Sequence, residues 1–386
     1  MSVELPLGFH EHVTSVGIKD NTPDFTLVVA DCLCHAAGVF TQSRFSGPSV
    51  TISRENIADH AARAVVVISK NANVATGSTG MDNAREIVRE VAKALSCKPD
   101  DVLIASTGVI GRPYPIDKIR AGIAALPSSF GGTSAEAVAR GIMTTDTVAK
   151  VAQSVVSGSK ARVVGVAKGV GMIEPNMATL ITLMFTDAAL DSADLNRIFR
   201  RVMDRTFNCV SIDTDTSTSD TALILASGKC GSVDLGEFES ALFEVAMSLT
   251  KQVARDGEGA EKLVEVCVDG ANSNEQAKTV AKAIVNSPLV KTAIHGADPN
   301  WGRVAMAIGK CSQYLDIDQD SVVIRFGNLE VYPTRVDEAA LEALSAYMKG
   351  AEVRIHVTLN TGSATSTVWG CDLTDGYVRI NADYTT

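Results

Sequence analysis

The sequence predicts a mixed α/β or α+β fold, and three observations support this class. Short β-rich runs alternate with amphipathic helical segments through the first two thirds of the chain. Several strands then follow one another, at residues 322–326, 353–359 and 366–370. The 386 residues are 46% apolar, enough to bury one large core or two moderate ones. We therefore expect layers of sheet and helix.

The strands and helices are predicted in order along the chain from their apolar spacing. Each strand is a short run rich in β-branched residues, and each helix has apolar residues every three or four positions. The predicted strands span residues 24–31, 64–69, 102–105, 162–167 and 263–268, followed by the three C-terminal strands. The predicted helices are 84–95, 135–143, 192–203, 238–255, 276–286 and 337–349.

Composition excludes several classes of function. Asp and Glu number 45 against 35 Lys and Arg, which gives a net charge of −10. This charge disfavours a nucleic-acid binder or a protein that binds anionic membranes, and it favours small-molecule partners. No apolar run reaches the roughly 18 residues of a membrane span, and residues 1–20 lack a signal-peptide pattern. We expect a cytoplasmic protein.

No metal or cofactor site is predicted. The eight cysteines are scattered, which is typical of reduced thiols in a cytoplasmic protein, and Cys32-x-Cys34-His35 has no second pair at zinc spacing. The polar segment from Ser211 to Asp220 resembles the start of a calcium loop. However, it has Thr218 and Ile224 where an EF-hand needs glycine and glutamate, so hydrogen bonding is its expected role.

The segment from Lys168 to Asp187 is the most informative part of the sequence. A glycine-broken loop passes Pro175 and changes at Ala178-Thr179 into an apolar run, so a threonine stands at the start of a buried strand. Such a residue is usually an ordinary strand residue. In a strained loop, however, its hydroxyl can attack the preceding carbonyl and release an N-terminal threonine. The new α-amine, with an ordinary pKa of about 7.7 to 8.0, can then act as a base.

Four further segments place polar groups next to predicted element ends. Thr107-Gly108 follows a strand, where backbone N–H groups can reach a ligand, although such a pair is usually only a turn. Thr144 begins a Thr-Thr-Asp-Thr cluster that capping alone would explain. Glu258 lies between two glycines, as a solvated loop carboxylate would. Asn71 and Asn73 precede Thr76-Gly77, and a solvated turn in which they cap the following helix would alone explain them.

Together, these motifs resemble those of the ornithine acetyltransferase (glutamate N-acetyltransferase, ArgJ) family. The resemblance spans nearly the whole chain and includes residues 168–179, 256–260, 295–303 and 377–386. Within the family, the segment Gly-Met-Ile-Glu-Pro-Asn-Met and the Asp-Tyr-Thr-Thr ending are most similar to the member from the clavulanic acid cluster. The resemblance implies a two-lobed ArgJ-like (DmpA-like) fold with an N-terminal-nucleophile type of active site between the lobes.

The resemblance also implies a self-processing enzyme. The precursor would cut itself between Ala178 and Thr179, giving an α chain of residues 1–178 and an intertwined β chain of residues 179–386. Thr179 would carry acetyl from N-acetylornithine to glutamate, with Thr107 and Gly108 as the oxyanion hole. The implied substrate-binding residues are Thr144, Lys168, Thr179, Glu258, Asn381 and Thr386. The implied assembly is an α2β2 heterotetramer or larger.

Several alternatives remain open at the level of sequence. Many arginine-pathway members have a cysteine where Ala75 stands here, which favours a monofunctional cycle without acetyl-CoA. A self-cleaving aminopeptidase or amidase, in which water takes the acyl group, would use the same residues. An uncut metabolite-binding relative is the third alternative. A Thr/His/Asp triad with His295 and Asp298 is disfavoured, because an N-terminal threonine needs no imidazole, so this loop is expected to be structural.

Overall fold

The computed structural model describes residues 2–19, 21–174 and 180–383. It confirms the mixed α/β class, with helices around two mixed sheets. Ala178, Thr179 and Thr386, three residues of the predicted cleavage and substrate sites, lie outside the described residues. Within the described residues, no helix has the length and apolar character needed to cross a membrane.

The first sheet has eight strands in the order β4-β3-β2-β8-β7-β6-β5, and β1 pairs with β2 beside this path. Its strands are β1 Phe9–Thr14, β2 Phe25–Phe40, β3 Ala61–Ile68, β4 Val102–Ser106, β5 Lys150–Val155, β6 Arg162–Lys168, β7 Ile181–Thr186 and β8 Thr221–Ala226. The segments before residue 175 and after residue 179 share this sheet, because β8 pairs with β2 and β7 pairs with β6.

The second sheet has five strands in the order β11-β10-β12-β9-β13. Its strands are β9 Leu263–Ala271, β10 Val323–Phe326, β11 Leu329–Tyr332, β12 Glu352–Thr358 and β13 Ala364–Cys371. The helices are α1 Pro48–Asn56, α2 Gly77–Ala94, α3 Ile116–Ala124, α4 Ala135–Gly141, α5 Ser192–Arg205, α6 Leu235–Arg255, α7 Asn274–Val285, α8 Pro288–His295, α9 Trp301–Gly309, α10 Glu338–Met348 and α11 Asp375–Ala382.

The long strand β2 folds the first sheet into two layers. Its first part pairs with β3 and its last part with β8, and its pairing with β3 shifts register between Val29 and Cys34. One hydrophobic cluster contains side chains of β3 and β4 together with side chains of β6 and β7, so these strands pack face to face. Helices α2 and α3 cover one outer face, and α5 and α6 cover the other. The result is an α/β/β/α arrangement.

This arrangement explains why β7 is buried at every position. Leu183 and Phe185 face the cluster between the two strand layers, whereas Met184 faces α5 and α6. A strand covered on both faces does not alternate between apolar and polar residues. The prediction of a buried strand after Thr179 is therefore confirmed, with Ile181 as its first residue.

Several predicted boundaries were wrong. β2 continues to Phe40 because the exposed residues Asp31 and Leu33 mark a change of partner strand and not the end of the strand. The predicted loop around residues 295–303 contains the end of α8 and the start of α9. The C-terminal segment forms α11, whose cap is the Thr374 side chain accepting from Gly376 N. Strands β1, β5, β8 and β11 and helices α1 and α3 were not predicted.

Candidate active site

The ends of two strands from opposite layers meet at one edge of the sandwich. Thr107 follows β4, and Lys168 is the last residue of β6. The Lys168 ammonium Nζ donates a hydrogen bond of 2.9 Å to Thr107 Oγ1. Because the first sheet is folded about β2, residues far apart in strand order are brought into contact here.

This contact determines what Thr107 can offer a ligand. Its backbone N–H donates to Ile68 O at 3.0 Å, so only its hydroxyl is left for a ligand. The oxygen of that hydroxyl accepts from Lys168, and a lysine ammonium has no acceptor capacity. The hydroxyl proton of Thr107 is therefore free to be donated to another acceptor.

Gly108 is required by its backbone and by its neighbours. Its φ of 128° lies in the region that favours glycine, and a Cβ atom there would stand 2.2 Å from the carbonyl carbon of Lys70. Within the described residues, the Gly108 N–H has no hydrogen-bond acceptor. An amide and a hydroxyl proton that have no acceptor in the described part of the chain therefore lie side by side.

The segment behind Gly108 is built by two buried asparagines. Asn71 Nδ2 donates to Pro113 O at 3.1 Å, and its Oδ1 accepts from Asn73 N at 2.8 Å. Asn73 Nδ2 donates to Gly80 O at 2.8 Å. The alternative of a solvated turn that caps the next helix does not apply, because both asparagines are buried, the N-cap of α2 is Thr76 and no side chain caps it. Their role in supporting the Gly108 turn is not visible in the sequence, since the partners are distant in the chain.

Glu258 faces the same edge from the turn between α6 and β9. Its carboxylate accepts from Thr145 Oγ1 at 3.2 Å and from Asn381 Nδ2 at 2.9 Å. Its own N–H donates to Val170 O at 2.7 Å, and a Cβ on Gly171 would stand 2.6 Å from its Oε2. The chain around Gly171 thus packs directly against this carboxylate.

A buried charge cluster lies beneath these groups. Lys150 Nζ contacts Asp146 Oδ1 at 2.7 Å and Asp256 Oδ2 at 2.5 Å. Asp146 also accepts from Gly169 N at 2.7 Å and from Thr144 N at 3.1 Å. One carboxylate therefore holds two predicted substrate segments, those of Thr144 and Lys168. Apart from the Thr-Thr-Asp-Thr motif, no pattern in the sequence indicates this cluster.

The charges of the cluster also shift its pKa values. Burial lowers the pKa of the Lys168 amine, and the Asp146 carboxylate opposes that shift. Burial acts to raise the pKa of Asp146, but the positive charges of Lys168 and Lys150 outweigh it and hold this pKa below its usual range. Asp146 is therefore ionised near neutral pH and provides a negative charge beside Lys168.

The edge of the sandwich where Thr107 and Lys168 meet contains a cavity of about 290 Å³. It brings together six predicted site residues, namely Thr107, Gly108, Thr144, Lys168, Glu258 and Asn381. Its wall also includes Val109, Ile110, Thr145, Val170 and Met172, which were not named as site residues, and Ser217–Ser219 from the polar segment Ser211–Asp220. Among the described residues, polar donors, one cation and one carboxylate thus surround a space suited to a small polar ligand with charges of both signs.

His295 and Asp298 are not among the residues that line this cavity. His295 Nδ1 instead lies 3.3 Å from Asp372 Oδ2, and Asp372 Oδ1 accepts from the backbone amides of Glu261 and Lys262. Within the described residues, possible ligand atoms of Glu261, His295 and Asp372 lie within 4.8 Å of one another. The hydrogen bond between His295 and Asp372 accounts for the proximity of these groups.

The chain is similar to several known proteins. Residues 10–386 match the family model described as "ArgJ family". The chain is 56% identical to "Arginine biosynthesis bifunctional protein ArgJ 2" of Nostoc sp., over 99% of this chain and 98% of that protein. It is 55% identical to "Glutamate N-acetyltransferase Oat2" of Streptomyces clavuligerus, again over 99% and 98% of the two chains. A crystal structure of the Bacillus halodurans ArgJ protein aligns with a TM-score of 0.49 and 42% identity, covering 52% of this chain and 98% of that chain.

Proposed function

Because this chain belongs to the ArgJ family of acyltransferases, we propose that it transfers acetyl from N-acetylornithine to glutamate through an ester on Thr179. The observation that carries this proposal is the cavity in which six predicted site residues meet. The names of the two relatives, an arginine biosynthesis protein and a glutamate N-acetyltransferase, support the same chemistry.

The first step is self-cleavage. The Thr179 hydroxyl attacks the carbonyl carbon of Ala178, the Ala178–Thr179 amide becomes an ester, and water hydrolyses that ester. The products are chains 1–178 and 179–386, and Thr179 gains a free α-amine. The pairing of β2 with β8 and of β6 with β7 supports the view that both chains stay together after the cut.

The second step is acetyl transfer to the enzyme. The α-amine of Thr179 takes the hydroxyl proton while Oγ1 attacks the acetyl carbonyl of N-acetylornithine. The free proton of Thr107 and the free N–H of Gly108 support their role as the oxyanion hole. Collapse of the intermediate breaks the amide bond, and ornithine leaves with the proton. Each oxyanion donor typically contributes a factor of about 10² to 10³ in rate.

The third step reverses the second with a different amine. The α-amine of glutamate attacks the acetyl-threonine ester, and N-acetylglutamate leaves. Lys168 is suited to hold a substrate carboxylate and Glu258 the side-chain ammonium of ornithine, because opposite charges pair strongly in a partly dry site. Thr144, Asn381 and Thr386 complete the substrate site in this proposal. Both half-reactions use one pocket.

The resulting enzyme is an α2β2 heterotetramer or larger that needs no cofactor, and its amino-acid substrates favour a cytoplasmic location. Ala75, in place of the cysteine found in many arginine-pathway members, favours the cycle without acetyl-CoA. One similar protein is named as bifunctional, so use of acetyl-CoA by this chain should be tested directly. Release of free CoA from acetyl-CoA in the presence of glutamate would show that the chain is bifunctional.

The test of the proposal is Thr179→Ala, compared with Thr179→Ser as the matched control. The alanine variant should stay uncut and show no transfer, because it lacks the nucleophile. The serine variant keeps a hydroxyl and should be cut and active at a reduced rate. A cut and active Thr179→Ala protein would contradict the proposal. Product formation that does not depend on glutamate would instead support the amidase alternative.

A further inference from the structure

The loop Ser211–Asp220 contacts the chain on both sides of the predicted cleavage bond. On the upstream side, the Asp213 carboxylate accepts from Met172 N at 2.7 Å and from Ile173 N at 2.8 Å. Met172 itself has a φ of 57°, an unfavourable value for a residue with a side chain. Asp213 therefore fixes a strained backbone just before the segment that contains Ala178 and Thr179.

The loop backbone strengthens the same upstream contact. Ile212 N donates to Ile173 O at 2.8 Å, and Glu174 N donates to Asp215 O at 2.9 Å. The Glu174 carboxylate accepts from Ser211 Oγ at 2.8 Å. Every backbone amide from Met172 to Glu174 is thus bound to this loop.

On the downstream side, the contact is to Leu180, the residue that directly follows Thr179. Asp220 Oδ1 accepts from Leu180 N at 2.8 Å, and Thr221 N donates to Leu180 O at 2.9 Å. Leu180 has a φ of 89°. A leucine in this region is strained, and such strain persists only where neighbouring contacts fix it. Here both backbone groups of Leu180 are held, one of them by a side chain.

The Asp220 side chain is buried in an energetically unfavourable environment. It is 1% exposed, and its Oδ2 has no hydrogen-bond partner within the described residues. Burial raises the pKa of this carboxyl to about 7, although the Leu180 amide, the Ser217 hydroxyl and the Lys168 charge each lower it. A buried carboxyl of this kind is expensive to keep, which favours a functional role.

We infer that Asp213 and Asp220 are positioning residues for self-cleavage, which hold the chain in strained conformations on either side of the Ala178–Thr179 bond. This inference rests on the proposed function, because it assumes that the bond is cut. The two contacts have different roles once the bond is broken. Leu180 stays attached to Thr179, so Asp220 continues to orient the nucleophile. The segment held by Asp213 becomes part of the other chain.

Because only the Asp220 contact stays on the chain that carries Thr179, substitution of Asp213 and substitution of Asp220 should have different consequences. Loss of Asp213 should slow self-cleavage more than it slows acetyl transfer by the cut enzyme. Loss of Asp220 should slow both. Self-cleavage should also accelerate as pH rises through about 7, since an ionised carboxylate accepts the Leu180 N–H more strongly than a neutral acid does. No α-amine exists at residue 179 before the cut, so its titration cannot contribute to this profile.

Other titratable groups near the site must be separated from Asp220. Lys168 faces Asp220, and it is itself faced by Asp146, Lys150 and Glu258. Its lowered pKa is a second possible origin of a pH dependence. If the rise in the cleavage rate with pH arises from Lys168, it would remain when Asp220 is replaced. If it arises from Asp220, it would disappear.

The experiment follows self-cleavage of chains made by cell-free translation and then shifted to buffers between pH 5.5 and 9. Intact-mass spectra give the fraction of chain 179–386 over time, and acetyl transfer is then measured per cut enzyme. The variants are Asp220→Asn, Asp220→Ala and Asp213→Asn. Asp215→Asn is the matched control, because only the backbone of Asp215 touches the upstream segment and its exposed side chain makes no hydrogen bond within the described residues.

We expect Asp220→Asn to cut about 10-fold more slowly at pH 8 and to lose the rise in rate near pH 7, with a further loss of about 10-fold in Asp220→Ala. Asp213→Asn should also cut about 10-fold more slowly while its transfer rate changes less, and Asp215→Asn should match the parent chain. Parent-like cleavage rates and pH profile in Asp220→Asn and Asp220→Ala would overturn the inference, as would equal losses in Asp215→Asn. An uncut parent chain would instead overturn the proposed function.

Discussion

The protein buries lysines in two regions and neutralises them differently. Beneath the cavity, Lys150 is fully buried between the carboxylates of Asp146 and Asp256. Beside the second sheet, Lys262 is 8% exposed, and its Nζ donates only to backbone oxygens within the described residues, at 2.8 to 3.1 Å from Ile294, His295 and Met348. One lysine is part of a charge network and the other crosslinks backbone segments.

The difference shows what each region has to do. A carboxylate paired with Lys150 can also hold amides of the substrate loops, as Asp146 holds Gly169 and Thr144. Carbonyl dipoles around Lys262 fix three chain segments without adding a negative charge. The two buried lysines therefore differ in how their charge is neutralised and in the role that we expect for them. We expect the network near the cavity to serve positioning and the crosslink to serve stability. Two substitutions test this division, and a third tests a hydrogen bond in the cavity wall.

The largest effect is expected from Lys150→Met. It leaves two buried carboxylates without their cation, and breaking a buried ion pair in this way typically costs about 3–5 kcal/mol. Transfer activity should fall as well, since Asp146 loses the partner that fixes it. Chemical denaturation and initial rates measure both effects. The double variant Lys150→Met/Asp146→Asn should recover part of the stability but not the activity, and recovery of both would show that the network has no positioning role.

A smaller effect, confined to stability, is expected from Lys262→Met. The change removes the Lys262 donor from three carbonyl groups, of which Ile294 O still accepts from Ala297 N at 3.1 Å, and the expected loss is about 2–3 kcal/mol. The kcat of the folded enzyme should be unchanged. Lys251→Met, at a half-buried position with an ion pair to Glu265, provides a lysine control with an expected loss below about 1 kcal/mol. A fall in kcat in Lys262→Met would remove the distinction between the two regions.

The smallest effect is expected from Thr145→Val, which removes one hydrogen bond to Glu258 and preserves the shape of the side chain. Asn381 still holds the other carboxylate oxygen. We expect kcat/KM for N-acetylornithine to fall by roughly 3- to 10-fold, mainly through KM, with the stability unchanged within about 0.5 kcal/mol. A change in stability without a change in KM would show that Thr145 belongs to the scaffold.

The resemblance to the ArgJ family predicted the site residues, and local sequence patterns showed only that several of them lie next to element ends. Thr107, Gly108 and Lys168 stand at strand ends, where the burial pattern changes, and Glu258 stands between glycines after a helix. The contacts that organise these residues were not predictable in the same way. Asp256 meets Lys150 across 106 residues, and Asp213 meets Met172 across 41, and no periodicity links such positions.

Prediction of the fold was limited in the same way, because contacts between distant parts of the chain leave no local pattern in the sequence. The apolar runs of β4, β6 and β7 were recognisable because burial on both faces leaves few polar residues in a strand. The fold of the first sheet about β2 was not recognisable. It depends on a change of partner strand within one long strand, and the exposed residues at that point resemble a strand end.

The most direct test of the central claim is an intact-mass spectrum of the purified protein, recorded before and after a short incubation with N-acetylornithine. We predict two chains, 1–178 and 179–386, and an acetyl adduct on the second chain that disappears when glutamate is added. A single uncut chain without an adduct would contradict the claim and leave a metabolite-binding relative as the better explanation.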